Sequence, residues 1–418
     1  MLMRKQPTAK AGEVVGALDI GTSKVCCLIG ASDGKGGHRL LGFGHQRMRG
    51  IKAGVVVDPE KAERAVRAAI AQAERMAGLT LARVVVAVTC GRLKSETFTA
   101  RATVAGRAVG RADTARVLAG GQSFAERGGR AIVQMTHGDW RLDARANIAN
   151  PLGMSGGELS LPMHAVTVDE PPLGNLLHVV ERCYLETAGG LAAPFASAMA
   201  VTTAEERQHG VVCVDLGGGT TTLAAFAGGH LMHADGVPVG GGHISFDIAR
   251  TLSTPLAEAE RIKTLYGTLL SAFSDEREII SFPGADETEG AQYETTKARL
   301  RTIIEPRVET MYGLVAEKLD RAGLAHLGER CVVLTGGASQ MVGLAEWWSS
   351  RTGAAVRIGR PRPLDGMDDS LCGPVFAAVT GLVSSAVPPR VGVAEHQRRA
   401  QPAQGYFGRL NGWIRDSF

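Results

Sequence analysis

The sequence predicts an α/β fold of two related lobes, with a small α+β unit inserted in the first and an amphipathic helix appended at the C-terminus. Three observations carry this expectation. Val14–Gly30 reads as strand, sharp Gly21-Thr22-Ser23 turn and second strand. Val211–Phe226 repeats the pattern around Gly217-Gly218-Gly219, so Asp19 and Asp215 stand at equivalent points before the two turns. The chain has 418 residues, more than the roughly 100–200 usual for one domain, which leaves room for two lobes and substantial cores.

Composition narrows the class. Hydrophobic residues at 44% and charged residues at 21% fit a folded globular chain and exclude a fibrous repeat or a small cysteine-stapled scaffold. A net charge of +4, without a dense Lys/Arg block interleaved with aromatics, argues against a nucleic-acid partner. The seven cysteines include no CxxC pair and lie mostly in apolar strand-like runs, as buried free thiols do in a reducing compartment. The N-terminal stretch is basic but lacks a signal peptide's apolar core. The longest nearly apolar run, Val375–Val387, falls well short of the about 20 residues needed to cross a bilayer.

Between the two strand–turn–strand units, Asp58 caps a helix predicted over Pro59–Ala77, with Pro59 at its first position and Gly78 as its stop. Leu81–Cys90 is a strong strand candidate. Residues 95–160 alternate short strand-like runs and polar turns, with a helix starting near Asp113. Helices return at Leu176–Leu185, Ser245–Leu252 and Ala257–Tyr266. A long one runs over 299–322 with Val308, Met311, Val315 and Leu319 in its apolar stripe and Gly323 after it. Ser271–Tyr293 is polar and reads as loop or short strand. Cys331–Leu334 is a strand running into a third glycine turn, Thr335-Gly336-Gly337-Ala338-Ser339. After Val387 the chain becomes a Pro/Gln/Arg-rich linker.

The glycine turns suit a polyphosphate. Glycine lets the backbone turn with no Cβ in the way, so N–H groups at Gly21–Ser23 and Gly217–Thr221 are placed to meet phosphate oxygens. Thr22, Ser23, Thr220 and Thr221 add hydroxyls, and Lys24 is the nearest cation, although strand alternation leaves its direction open. Asp19 and Asp215 are the residues expected beside Mg²⁺, through water, because hard cations prefer oxygen ligands and Mg²⁺ keeps part of its hydration. Neither GxxxxGK[ST] nor a GxGxxG opening a helix is present.

LDIGTSKV, VDLGGGTTTL and VVLTGGASQM, in that order, resemble the two phosphate motifs and the adenosine motif of the actin/Hsp70/sugar-kinase superfamily. Gly50–Asp58, Asn175–Ala200, Gly236–Ile248, Ala257–Gly267 and Ile304–Glu309 extend the resemblance to the FtsA family of bacterial cell-division proteins. The resemblance implies an actin-like two-lobed ATPase fold that lacks one actin subdomain and carries an insertion elsewhere. It implies first-lobe core at 1–84 and 161–207, an inserted self-association unit at 85–160, and second-lobe core at 208–245 and 312–358. A small second-lobe subdomain would occupy 246–311, and 359–387 would return to the first lobe. A linker at 388–404 and a membrane helix at 405–418 complete the chain.

It further implies that ATP and Mg²⁺ bind in the cleft. Gly240, Gly241 and Gly242 would approach the phosphates, Glu260 and Lys263 the ribose or adenine, and Gly336, Gly337 and Ser339 the adenosine side. The last residue of the family's DxGGGTTD loop is Thr222 here, which removes one carboxylate. Family activity is weak or variable, no general base is identifiable, and no catalytic residue is assigned. The implied partners are the chain itself, later division proteins, and the C-terminal peptide of FtsZ on residues 246–311, where Lys297, Arg299, Arg301 and Arg307 are local cations.

The last segment, GYFGRLNGWIRDSF, places Phe407, Leu410, Trp413, Ile414 and Phe418 along one side of a helix, with Arg409 and Arg415 at its borders. That pattern suits a helix lying in a lipid interface, or one docking on a protein surface. Burial of four large apolar residues contributes at most about 6–12 kcal/mol, reduced by the ordering of the peptide and its glycines. One tail would hold a membrane reversibly, whereas linked copies would hold it firmly. The leading expectation is therefore an ATP-binding adaptor that tethers FtsZ filaments to the cytoplasmic face of the inner membrane at the septum. A small-molecule kinase or phosphohydrolase of the same superfamily, or a pilus-type adaptor, is the alternative.

Overall fold

A computed structural model describes residues 12–34, 37–285 and 292–385. The first lobe opens with the hairpin β1 (Val14–Ile20) and β2 (Lys24–Ser32), followed by β3 (His38–Arg47). Helix α1 spans Pro59–Ala77 as expected. The Asp58 carboxylate accepts from Lys61 N–H at its start, and Gly78 ends it at φ 66°. Strand β4 (Arg83–Val88) then pairs parallel with β1.

The chain leaves this sheet to build the insertion: β5 (Lys94–Thr103), α2 (Arg111–Ala125), β6 (Arg130–His137), β7 (Trp140–Leu142), β8 (Arg145–Ile148) and β9 (Glu158–Asp169). β9 is its axis, pairing antiparallel with β5, β6 and β7. The inserted sheet thus occupies Lys94–Asp169, shifted from the expected 85–160. Residues 85–88 are needed beside β1 in the first sheet, and the long alternating run of β9 stays paired with β5 through Thr167.

Helix α3 (Glu170–Arg182) starts earlier than the expected Leu176, because Pro171 and Pro172 occupy its first turn, where the missing N–H groups have no helical partner to lose. Strand β10 (Glu186–Ala192) closes the first sheet, and α4 (Ala193–Val201) leads into the second lobe. There β11 (Val211–Leu216), β12 (Thr221–Ala227) and β13 (His230–Val237) form an antiparallel meander. Helices α5 (Gly241–Leu252) and α6 (Leu256–Tyr266) follow. The polar 271–293 segment contains one strand of a hairpin, β14 (Ile279–Pro283) with β15 (Gln292–Thr296), whose Ile280 and Phe282 are buried. Helix α7 (Lys297–Arg321) carries Pro306 in its interior. β16 (Cys331–Thr335), α8 (Leu344–Thr352), β17 (Ala355–Ile358) and α9 (Ala377–Ser385) complete the described chain.

The two main sheets have the same plan. Their orders are β3-β2-β1-β4-β10 and β13-β12-β11-β16-β17, each a three-stranded antiparallel meander extended by two parallel strands. Leu18, Val25, Val66 and Val86 belong to the first-lobe core, and Val214, Leu223, Ile248, Ile304 and Trp348 to that of the second. The chain passes between lobes through α4 and returns through α9, and these two helices pack on each other. A Cβ on Gly381 of α9 would lie 1.8 Å from the Ala196 carbonyl, so only glycine permits this approach. The seven cysteines are free thiols, five of them buried. Among the described residues no helix is long and apolar enough to cross a membrane.

Candidate functional site

Both glycine hairpins sit at the ends of strands that occupy the same position in their sheets, and the fold brings their tips together. A Cβ on Gly218 would lie 2.7 Å from Ser23 Oγ, and one on Gly219 would lie 2.5 Å from Thr22 Oγ1. Each turn closes on itself, with Gly21 N–H donating to the Lys24 carbonyl and Gly217 N–H to that of Thr220, both at 2.9 Å. The N–H groups of Thr22, Ser23, Gly218 and Gly219 have no hydrogen-bond partner among the described residues. Thr22 Oγ1 accepts from Gly54 N–H at 3.1 Å, tying the first turn to the loop before α1.

Register fixes which side chains share the site. Asp19 stands opposite Cys26, and Asp215 opposite Thr222. Thr222, where the family pattern has a carboxylate, is thus the second-lobe counterpart of Cys26, and it is buried. Lys24 lies two residues before Cys26 and so on the same face as Asp19. Its Nζ is 3.6 Å from Asp19 Oδ2 and 5.2 Å from the centre of the Phe376 ring. Strand alternation turns Lys24 toward the carboxylates, which settles the direction the sequence left open.

Asp215 is the meeting point. Ser197 Oγ on α4 donates to its Oδ2 at 2.5 Å. The third glycine turn lies against its other oxygen, since a Cβ on Gly336, at φ 84°, would come within 2.2 Å of Oδ1. Desolvation, with a smaller contribution from Asp19, pushes the Asp215 carboxyl up to about 6, against the Ser197 hydrogen bond. Two neighbouring carboxylates, one of them costly to ionise, suit a divalent cation, which would offset both effects. Among the described residues no group of three or more His, Cys, Asp or Glu forms a metal cage. The donor set therefore fits a cation held mainly by water and phosphate.

Several expected contact residues play a supporting part. The Thr221 hydroxyl donates to the Val239 carbonyl at 2.8 Å, and the Ser339 hydroxyl to that of Gly336 at 2.7 Å; both residues are buried. At the start of α5, Gly241 N–H donates to the Gly217 carbonyl at 2.9 Å and Gly242 N–H to that of Gly218 at 2.7 Å. Gly240 N–H meets His243 Nδ1 at 3.1 Å. These three glycines buttress the second hairpin from behind, and their donors are already paired. Thr220 remains at the hairpin tip, with its methyl near Gly54. Gly337 leads the third turn toward Val375.

Glu260 and Lys263 share a face of α6. Lys263 Nζ donates to Glu260 Oε2 at 2.7 Å, to Ser245 Oγ at 2.9 Å and to the Gly241 carbonyl at 3.1 Å. Burial alone would raise the Glu260 carboxyl, but Lys263 and the Ser245 hydroxyl hold it below the usual range. The pair thus fastens α6 to the start of α5. Of the four cations expected at a partner surface, three face carboxylates of this chain. Arg307 pairs with Asp247 at 2.7 Å, Arg301 with Asp275 at 3.2 Å, and Lys297 with Glu278 at 3.1 Å. Arg299 is exposed. The tail residues Phe407, Arg409, Leu410, Trp413, Ile414, Arg415 and Phe418 lie outside the described residues.

Sequence reasoning missed Ser197 and Phe376. APFAS lay within a segment that carried the family resemblance, yet nothing in its local pattern points Ser197 at a residue on another strand.

Comparison with known proteins places this geometry. A family model described as "Cell division protein FtsA" matches residues 212–381, and one described as "SHS2 domain inserted in FTSA" matches residues 90–167. The cell division protein FtsA of Rhizobium meliloti (strain 1021) is 36% identical over 98% of this chain and 96% of its own length. That of Escherichia coli (strain K12) is 31% identical over 97% and 98%. Among solved structures, Spiroplasma citri MreB5 bound to ADP overlays with a TM-score of 0.56 at 14% identity, covering 89% of this chain and 95% of its own. A PilM–PilN type IV pilus biogenesis complex overlays with a TM-score of 0.62 at 17% identity, covering 91% and 100%. At such identities the likeness shows the actin-like fold alone, so the pilus-type reading has less support than the near-full-length relatives give to cell division. The chain belongs to the FtsA family of cell division proteins.

Proposed function

We propose that this cell-division protein binds one ATP with Mg²⁺ between its two glycine hairpins and uses the bound state to govern self-association on a membrane. The observation that carries the reading is the convergence of Asp19, Lys24 and Asp215 beside two touching turns with unpartnered N–H groups. Thr22, Ser23, Gly218 and Gly219 would orient phosphate oxygens, Lys24 would offset their charge, and Asp19 and Asp215 would hold Mg²⁺ through water. When bound, Mg²⁺ supplies charge neutralisation at the phosphates.

The inserted sheet would serve contacts between copies, and the small subdomain the C-terminal peptide of FtsZ, with Arg299 as one of its exposed cations. The tail would hold the assembly to the cytoplasmic face of the inner membrane, from which later division proteins are recruited. Calorimetric titration of the full chain with Mg-ATP tests the nucleotide reading. Saturable one-to-one binding is expected, and no detectable binding would overturn it.

A further inference from the structure

The hydrogen bond from Ser197 to Asp215 joins the two lobes at the candidate cation site. Ser197 is fully buried on α4, the helix that carries the chain out of the first sheet. Asp215 is on β11, the central strand of the second. The opposite neighbour of α4 is α9, and the two are held in close register by Gly381 against the Ala196 carbonyl, one residue before Ser197. The Ser197 hydroxyl is therefore fixed by the pair of helices through which the chain crosses between lobes. Its acceptor is the carboxylate oxygen left open by Gly336, whose backbone crowds the other oxygen.

We infer that Ser197 is a positioning residue: it aims the Asp215 carboxylate into the cleft and makes its alignment depend on the packing of the two crossing helices. This rests on the nucleotide reading above and deepens it. Without the hydroxyl, Asp215 keeps its place on the strand but loses the one side-chain hydrogen bond it accepts among the described residues, and it is free to rotate toward Lys24. The carboxylate orients a hydrated cation rather than ATP itself, so the defect should appear in the Mg²⁺-dependent part of binding.

The test is ATP affinity of the full chain by calorimetry, with Mg²⁺ and with excess EDTA, for the unaltered protein, Ser197→Ala and Ser197→Thr. A hydrogen bond to a charged group sets the expected scale at about tenfold. Ser197→Ala should shrink the gain in affinity given by Mg²⁺ by about that factor and leave affinity in EDTA within about twofold. Ser197→Thr, which keeps the hydroxyl, should restore the gain. In an Asp215→Asn background, Ser197→Ala should have no further effect on the Mg²⁺ gain. Equal loss in both conditions, or no loss in either while the unaltered chain binds normally, would overturn the positioning role alone. Absence of ATP binding by the unaltered chain would overturn the nucleotide reading, and this inference with it. Melting of each variant without nucleotide separates a folding defect from a defect at the site, because loss of fold lowers affinity with and without Mg²⁺ alike.

Discussion

Gly218 of the second lobe stands so close to Ser23 of the first that an added Cβ would lie 2.7 Å from Ser23 Oγ. Neighbouring Gly219 is equally tight on Thr22. The contact joins residues from two separately built sheets, so it reports the closure of the lobes and not the stability of either one. Gly218→Ala and Gly219→Ala should each force the tips apart and weaken Mg-ATP binding by at least about tenfold. The cost to the nucleotide-free fold should stay below about 2 kcal/mol, because the clash, which reaches the Ser23 and Thr22 Cβ atoms at 2.9 Å, is relieved by parting the tips and not by repacking either core. Calorimetry and urea denaturation, run on the same samples, check both halves.

Asp215 gives the nucleotide-free protein a defined pH response. Its carboxyl is pushed from 3.8 up to about 6, so the folded state holds that proton more tightly than the unfolded chain does. Stability from this group is present at acid pH and is lost as pH rises from about 4 through 6, by up to about 3 kcal/mol. Asp215→Asn removes the response. Its stability relative to the unaltered chain should therefore rise across that window, while its Mg²⁺-dependent ATP binding falls. Urea denaturation at a series of pH values measures the first, and equal slopes for the two proteins would contradict it.

Gly381→Ala should be among the most damaging small changes. The added methyl would lie 1.8 Å from the Ala196 carbonyl, and a backbone oxygen inside a helix cannot turn away as a side chain can. Overpacking of this kind costs about 3 kcal/mol or more when backbone must move. Thermal melting should show a large drop. Gly353→Ala, at a helix end with open space around it but φ 69°, should cost only about 1 kcal/mol.

The tail carries a prediction from its sequence. Trp413→Glu removes a large apolar residue from the apolar side of the expected helix and adds a charge of the wrong sign for an anionic surface. Partition onto anionic liposomes should fall by at least about tenfold. ATP affinity should be unchanged, as the substitution lies far along the chain from either hairpin. Co-sedimentation of the full chain, the variant and a chain ending at Gln404 checks this; equal pelleting of all three would show that the tail is not the anchor.

The sequence by itself determined the repeated strand–turn–strand units, the capped α1, the free cysteines and the order of three glycine turns. All of these are written in local spacing: alternation for strands, a capping Asp and a first-turn Pro for a helix, consecutive glycines for a turn. It also carried the family. Tertiary structure alone decided which side chains share the site. Lys24 faces Asp19 because of strand register, Thr221 and Ser339 turn to backbone carbonyls, and the Gly240–Gly242 donors brace a hairpin. Ser197 reaches Asp215 because two crossing helices place it there. Such contacts leave no period in a sequence, since each joins residues far apart in the chain and is selected by close packing in space.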